Sequence, residues 1–339
     1  MTLLTELFDF IDGRIGPEGS ADLARRVFDY QCDRFPEYAR YARGKAILTL
    51  SDLPGVPETA YKHNASRGNG STVRTFRSSG TTGLRTVINL SEEGLALMDS
   101  AILAGARRHL FADGLRVAVH LLVPTVAEAP DMIMAYGMAL IAKSFGQGDA
   151  SYPISGGKLD SASLRLSLES AVSDSQPVLL AGGSFVIASF LEDCVGHGWR
   201  VALPPGSRIL DAGGFKRSGR EIQPWELQKS IEDVLGIPLD AQRNLLGMTE
   251  LASQFYDSGD SSPNGLRVKV NSPWTATTVI DPENGEHAHA EGVLKHVDLA
   301  IYDRPCAILT ADIGFEFGDG FCFVRRASAV TRKGCALAG

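Results

Sequence analysis

Between Val117 and Leu235 the chain repeats one pattern, a short uniformly apolar run followed by a stretch with helical spacing. VAVHLLV (117–123), PVLLAGG (177–183) and SRILDAGG (207–214) are the runs; 162–173, 185–196 and 225–235 are the helical stretches. A strand with no polar face must be covered on both sides, and a helix after each such strand supplies the crossover that parallel pairing needs. The pattern predicts an α/β fold with a largely parallel sheet. From about residue 266 the texture changes. LRVKV, WTATTVI, GVLKHVDLAI, CAILT and FCFVRRA are short β segments joined by turns and predict a smaller β-rich lobe. Residues 1 to about 45 read as helical, with Leu23, Val27, Phe28 and Tyr30 near helical spacing. The expected organisation is therefore a helical segment over 1–70 packed on the core, an α/β core over 71–265 and a β-rich lobe over 266–339.

Composition narrows the partners. With 339 residues and 44% hydrophobic content, a large core can be buried. The formal net charge of -7 repels nucleic-acid phosphates and anionic lipid, so neither nucleic acid nor membrane is an expected partner. The five cysteines are widely spaced with no CxxC pair, which fits a reducing cytoplasm better than a disulfide framework or a zinc site. MTLLTELFDF carries acids where a signal peptide carries bases, and no apolar run reaches membrane-helix length. The expected location is cytoplasmic.

The sharpest local signal is Ser78-Ser79-Gly80-Thr81-Thr82-Gly83, between a strand ending near Phe76 and another at Val87–Leu90. Such a turn converges backbone N–H groups and hydroxyls, as a phosphate loop requires. It lacks the spacing and lysine of a Walker A loop, and by itself it also reads as a flexible surface turn. DLPGVPETAYK (52–62) is broken by Pro54 and Pro57 and reads as loop or short turns, and 64–71 as a mobile Gly/Ser/Asn stretch. Ser91-Glu92-Glu93 offers a helix N-cap. His287 and His289 read as an exposed polar turn, His120 as a satisfied core histidine on a strand that could border an acyl pocket, and GGK (156–158) as a turn.

SSGTTG resembles the phosphate loop of the adenylate-forming superfamily. LLGMTE (245–250) resembles that family's aromatic-Gly-x-Thr-Glu motif and LTADIG (309–314) its Thr-Gly-Asp motif, in the required order. DLPGVPETAYK, AGGSF (181–185), 203–222, 246–257, VDLA (297–300) and RKGCALA (332–338) are similar to blocks of the acyl-protein synthetase branch, the long-chain-fatty-acid–luciferin-component ligases. The resemblance implies an adenylate-forming core of mixed sheets flanked by helices, with a β-rich lobe completing the nucleotide site. It implies ATP and Mg²⁺ as cofactors, a fatty or aromatic carboxylic acid as substrate, and a thiol acceptor on a carrier protein, a partner enzyme or a cofactor. Ser78 to Gly83 and Arg85 would hold phosphates. Gly213 and Gly214 would line the adenine. Thr249 would bond the α-phosphate, Glu250 would bind Mg²⁺, Asp312 would accept both ribose hydroxyls, and Arg326 or its neighbour Arg325 would contact the nucleotide. The acyl pocket would come from segments around Val123 to Met138 and Gly183 to Ala188.

The departures leave alternatives open. Leu246 replaces the usual aromatic, Ala311 a glycine, and the chain ends 27 residues after Asp312, too few for a full-size C-terminal lid domain with its catalytic lysine. Lys216 is the candidate replacement cation. Cys335, preceded by Arg332 and Lys333, is either an acyl-carrying thiol or an inert terminal cysteine. An aryl- or acyl-CoA ligase, an adenylate-only enzyme and a catalytically silent scaffold remain the competing readings.

Overall fold

In the structure, a computed structural model that describes residues 1–63, 71–78, 85–213, 222–262 and 264–327, the alternating region is parallel sheet. The strands are β1 Val56–Pro57, β2 Arg74–Arg77, β3 Val87–Leu90, β4 Ala118–Leu122, β5 Ile154–Ser155, β6 Lys158–Leu159, β7 Val178–Gly183 and β8 Arg208–Ala212. There follow β9 Gln242–Leu246, β10 Phe255–Ser261, β11 Arg267–Val270, β12 Thr275–Ile280, β13 Gly292–Asp298, β14 Ala307–Phe317 and β15 Gly320–Arg326. The helices are α1 Leu3–Ile11, α2 Ser20–Arg34, α3 Pro36–Tyr41, α4 Glu92–His109, α5 Ile133–Phe145, α6 Ser161–Ser173, α7 Ser184–Gly196 and α8 Pro224–Leu235. The chain divides into two units. One holds Met1–Ala104, Met248–Phe255 and the chain from Val268 onward; the other holds Gly105–Gly247 and Tyr256–Arg267.

In the second unit the strand order is β4-β7-β8-β9-β10. β4, β7, β8 and β9 run parallel, with Val119 beside Leu179 and Leu180 beside Ile209. Helices α6, α7 and α8 share one core with these strands. Ile187, Phe190, Leu191 and Cys194 recur at helical spacing on α7 and pack with Leu164, Leu168, Leu227, Ile231, Val178 and Leu180. Each such side chain contributes roughly 1.5–3 kcal/mol when fully buried. Pro224 at the first turn and the reciprocal Gln223–Glu226 capping box start α8, and Gly236 at φ +68° ends it. The GGK segment is the turn of the β5–β6 hairpin.

The first unit is antiparallel, in the order β12-β13-β14-β15-β11, with β1 lying parallel along β14. Helix α2 is tied to the segment before β14 by one buried side chain. Gln31 donates to the carbonyls of Ile301 and Arg304 at 3.1 and 2.8 Å and accepts from Cys306 N–H at 3.0 Å. Asp303 accepts from Ser91 N–H and Oγ, and the Ser91 hydroxyl in turn accepts from Gly94 N–H, which starts α4 where the sequence predicts.

Parallel and antiparallel sheets flanked by helices give the mixed α/β class expected. Six elements were not expected: α5, β9, β10, β1 and the two short strands β5 and β6 on either side of the predicted turn. Helix α5, IMAYGMALIAKSF, has too few polar residues to show a stripe. Strands β9 and β10, QRNLL and FYDSGDS, carry polar residues for reasons given below. The 52–62 segment is short helical turns as expected, except that Val56–Pro57 pairs with Ile308–Leu309.

Candidate functional site

The hairpin β2–β3 closes with Arg77 opposite Val87. Ser78 N–H donates to the Thr86 carbonyl at 3.0 Å, and Thr86 N–H donates back to Ser78 Oγ at 2.9 Å. The loop that resembles a phosphate loop thus springs from a locked base. Ser79, Gly80, Thr81, Thr82 and Gly83 lie outside the described residues, and Arg85 is exposed. Thr86 is fully buried, and its hydroxyl donates to Glu250 Oε1 at 2.5 Å.

Thr249 and Glu250 are both buried, in a non-helical segment after β9. Two structures hold that segment from behind. Arg304, 1% exposed, donates through Nε and Nη2 to the Glu250 carbonyl at 3.2 and 2.9 Å. Its Nη1 has no partner among the described residues. Asp298 accepts from the N–H groups of Ala252, Ser253 and Ala300 and from Ser253 Oγ, which fixes the turn following Glu250. A buried carboxylate with four donors explains an acid inside the apolar VDLA block.

Asp312 sits within β14, directly opposite Arg326 of β15. Arg326 Nη1 donates to Asp312 Oδ1 at 3.2 Å, and Nη2 donates to Glu58 Oε1 and Oε2 at 2.5 and 2.7 Å. Glu58, 4% exposed, also accepts from Ala311 N–H at 3.2 Å. It reaches this place because β1 runs parallel to β14 with Pro57 opposite Leu309. Burial opposes the Arg326 charge, but Asp312, Glu58 and Glu250 outweigh it and raise its pKa. Alternation along β15 turns Arg325 the other way, onto the exposed Glu291 at 2.7 Å. Of the two candidate arginines, only Arg326 meets the aspartate.

Within the first unit, then, the root of the hydroxyl-rich loop bonds Glu250, and Glu250 acts electrostatically on the arginine that pairs with Asp312. Glu58, Thr86, Asp298 and Arg304 were not singled out from the sequence. The available signals were an acid in a proline-broken turn for Glu58 and a charge inside an apolar run for Asp298; Arg304 stands in the turn Tyr302–Pro305, where a charge is ordinary.

In the second unit Gly213 follows β8 at φ +80°, a backbone that favours glycine. A buried polar row lies beneath it. Asp211 accepts from Ser184 Oγ at 2.6 Å, Asn244 Nδ2 at 2.7 Å and Arg267 Nη1 at 3.1 Å. Arg267 is shared with Asp257 at 3.1 Å, and Asp257 also accepts from Asn244 N–H. These partners account for Asn244 in β9 and Asp257 in β10. Ser184 Oγ lies 3.1 Å from the Gly213 carbonyl, so the row ends on the turn. Gly214, Lys216 and Cys335 lie outside the described residues.

Two histidine expectations need comment. His120 is buried but only half satisfied: Nδ1 meets Ser151 Oγ at 2.6 Å and Nε2 has no partner among the described residues. Burial pushes its pKa down to about 4. His287 is exposed, as expected, and lies 2.9 Å from Glu316. A cleft of about 580 Å³ in the second unit is lined by Leu203–Arg208, Gly236–Pro238, Asp240 and Ala241, at the amino ends of β8 and β9. Open α/β sheets bind ligands at the carboxyl ends of their strands, where Gly213 stands, so the cleft is not the active-site candidate.

No family model matches the chain, and no curated protein matches it. Solved structures do. A 2-hydroxyisobutyryl-CoA ligase, in an open conformation with 2-HIB-AMP and CoA, superposes with a TM-score of 0.62 at 15% identity, over 89% of this chain and 71% of that one. ATP-bound MatB from Rhodopseudomonas palustris gives 0.52 at 15% identity, over 77% and 49%. O-succinylbenzoate coenzyme A synthetase (MenE) from Bacillus subtilis, with AMP, gives 0.51 at 16% identity, over 76% and 50%. The chain spans about half the length of the latter two. Its fold is the one these three proteins share.

Proposed function

We propose that the protein activates a carboxylic acid with ATP, forming an acyl-adenylate and pyrophosphate, and then passes the acyl group to a thiol. One observation carries this reading: within one unit the base of the SSGTTG loop bonds Glu250 through Thr86, and Asp312 pairs with Arg326, so the acids of both motifs are buried and held by polar partners. A carboxylate is a poor electrophile. Attack of its oxygen on the α-phosphorus breaks the bond to the β-phosphate oxygen and yields a mixed anhydride. A thiolate then attacks the acyl carbon and AMP leaves. Catalysis of this kind is mostly positioning and stabilisation of developing phosphate charge.

In this reading the N–H groups and hydroxyls of residues 78–83, with Arg85, bind the β- and γ-phosphates. Thr249 bonds the α-phosphate, Asp312 accepts the ribose hydroxyls, and Arg326 supplies a cation. Glu250 would hold Mg²⁺. The donor set suits that ion, because Glu250 is a buried carboxylate with one oxygen already oriented by Thr86. No group of three metal-ligating side chains occurs among the described residues, so most of the ion's ligands would be phosphate oxygens and water. When bound, it disperses negative charge between phosphate oxygens. Lys216 is the candidate contact to phosphate or carboxylate.

The acyl-protein synthetase resemblance favours a protein thiol as acceptor, with Cys335 as the candidate. The shared fold of ligases crystallised with CoA makes coenzyme A the second acceptor to test. Pyrophosphate release across a panel of fatty and aromatic acids, followed by mass spectrometry for an acyl adduct on Cys335, tests the sequence of steps. Glu250→Gln is expected to slow pyrophosphate release by about a hundredfold or more. Absence of release with every acid, together with no binding of adenine nucleotide, overturns the reading.

A further inference from the structure

Arg326 is divided between two carboxylates, and the division is unequal. One nitrogen, Nη2, lies 2.5 and 2.7 Å from the two oxygens of Glu58, while the other, Nη1, touches a single oxygen of Asp312 at 3.2 Å. Glu58 is the better buried of the two, with 5% of its side chain exposed against 11% for Asp312, and it is anchored a second time by Ala311 N–H. A guanidinium facing one carboxylate alone tends to close on it as a fork, covering both oxygens with parallel hydrogen bonds. The register of Asp312 opposite Arg326 puts that closed pair within reach.

We propose that Glu58 is a positioning residue that sets the protein's preference for a ribonucleotide over a deoxynucleotide, by holding Arg326 back from a forked pair with Asp312. The inference rests on Asp312 being the acceptor of the ribose hydroxyls. With Glu58 in place, the guanidinium steadies Asp312 through one nitrogen and leaves the carboxylate oriented to accept from the 2′- and 3′-hydroxyls. Without the Glu58 charge, Arg326 swings fully onto Asp312 and competes with the sugar. The ribose hydroxyls then lose their acceptor, while the contacts to phosphate and base stay where they were.

The experiment is calorimetric titration of the full chain with Mg-ATP, Mg-2′-dATP and Mg-3′-dATP, for wild type, Glu58→Gln and Glu58→Asp. Wild type is expected to bind ATP about tenfold or more tightly than either deoxynucleotide, as a charge-assisted hydrogen bond warrants. In Glu58→Gln that ratio falls towards one, because ATP loses two hydroxyl contacts to Asp312 and each deoxynucleotide loses only one. Glu58→Asp keeps the charge but shortens its reach and gives an intermediate ratio; it carries the same test should Glu58→Gln fail to fold. A purely structural role for Glu58 would weaken all three nucleotides together. A Glu58→Gln protein that keeps the wild-type ratio, or weakens all three alike, overturns the proposal. A wild type that binds ATP and deoxynucleotides equally, or binds none, instead overturns the placement of ribose on Asp312.

Discussion

At the scale of single residues, the site region is governed by charges whose partners are far away in sequence. Thr86 and Glu250 are 164 positions apart, and Glu58 and Arg326 are 268 apart. Buried histidines show the same dependence on surroundings. His296, 1% exposed, meets Thr277 Oγ1 through Nδ1 at 2.9 Å and packs on the rings of Phe255 and Phe321. Burial pushes its pKa down to about 3. The unfolded chain takes up a proton on this ring near pH 6.5, while the folded chain refuses it until about pH 3. Its contribution to stability is therefore whole above about pH 6.5 and falls as the pH drops, by up to about 1.4 kcal/mol per pH unit. His109 and His120, each pushed to about 4 by burial, act in the same direction. Urea unfolding at pH 7, 6 and 5 should show this loss, and His296→Gln should reduce its slope while His109 and His120 keep the rest; an unchanged slope would contradict the buried neutral ring. Asp312 and Glu250 were legible as acids within recognisable motifs. Glu58 was not, because nothing local marks an acid in a proline-broken turn as the second partner of an arginine.

At the scale of elements, apolar pattern and capping chemistry account for most of the secondary structure. The start of α4 shows where tertiary contact overrides propensity. Gly94 lies in its first turn, where alanine normally stabilises a helix by up to about 1 kcal/mol. A Cβ at Gly94 would lie 1.9 Å from Asp303 Oδ2, the oxygen that accepts from Ser91 N–H. Gly94→Ala is therefore expected to destabilise, by about 1–2 kcal/mol as the cap is lost. Chemical denaturation measures it, and a more stable variant would show that propensity wins. The elements that pattern did not reveal have two physical causes. Helix α5 carries too little polarity to display a face. Strands β9 and β10 carry the half-buried Asn244 and the buried Asp257, which are tolerated because Asp211 and Arg267 meet them. Removing one partner of such a buried ion pair typically costs about 3–5 kcal/mol.

At the scale of the whole molecule, nucleotide binding should register as stability. A ligand that binds only the folded chain, present at about a hundredfold over its dissociation constant, adds about 2.7 kcal/mol. Mg-ATP is expected to raise the unfolding midpoint and Asp312→Asn to reduce that rise, as thermal unfolding with and without nucleotide would show. No rise at saturating Mg-ATP would contradict the nucleotide site. No described helix is long and apolar enough to cross a membrane. The sequence by itself determined the alternation that makes a parallel sheet, the antiparallel texture of the later segments, and the presence of a hydroxyl-rich turn and two acids of the right kinds. These are local properties, set by side-chain period and turn chemistry. Only the tertiary structure decided that Arg326 and not Arg325 faces Asp312, that Glu58 shares its charge, and that Thr86 and Arg304 hold Glu250 from two sides. Those choices depend on strand register and on which charges are buried together, and neither is encoded within any one stretch of chain.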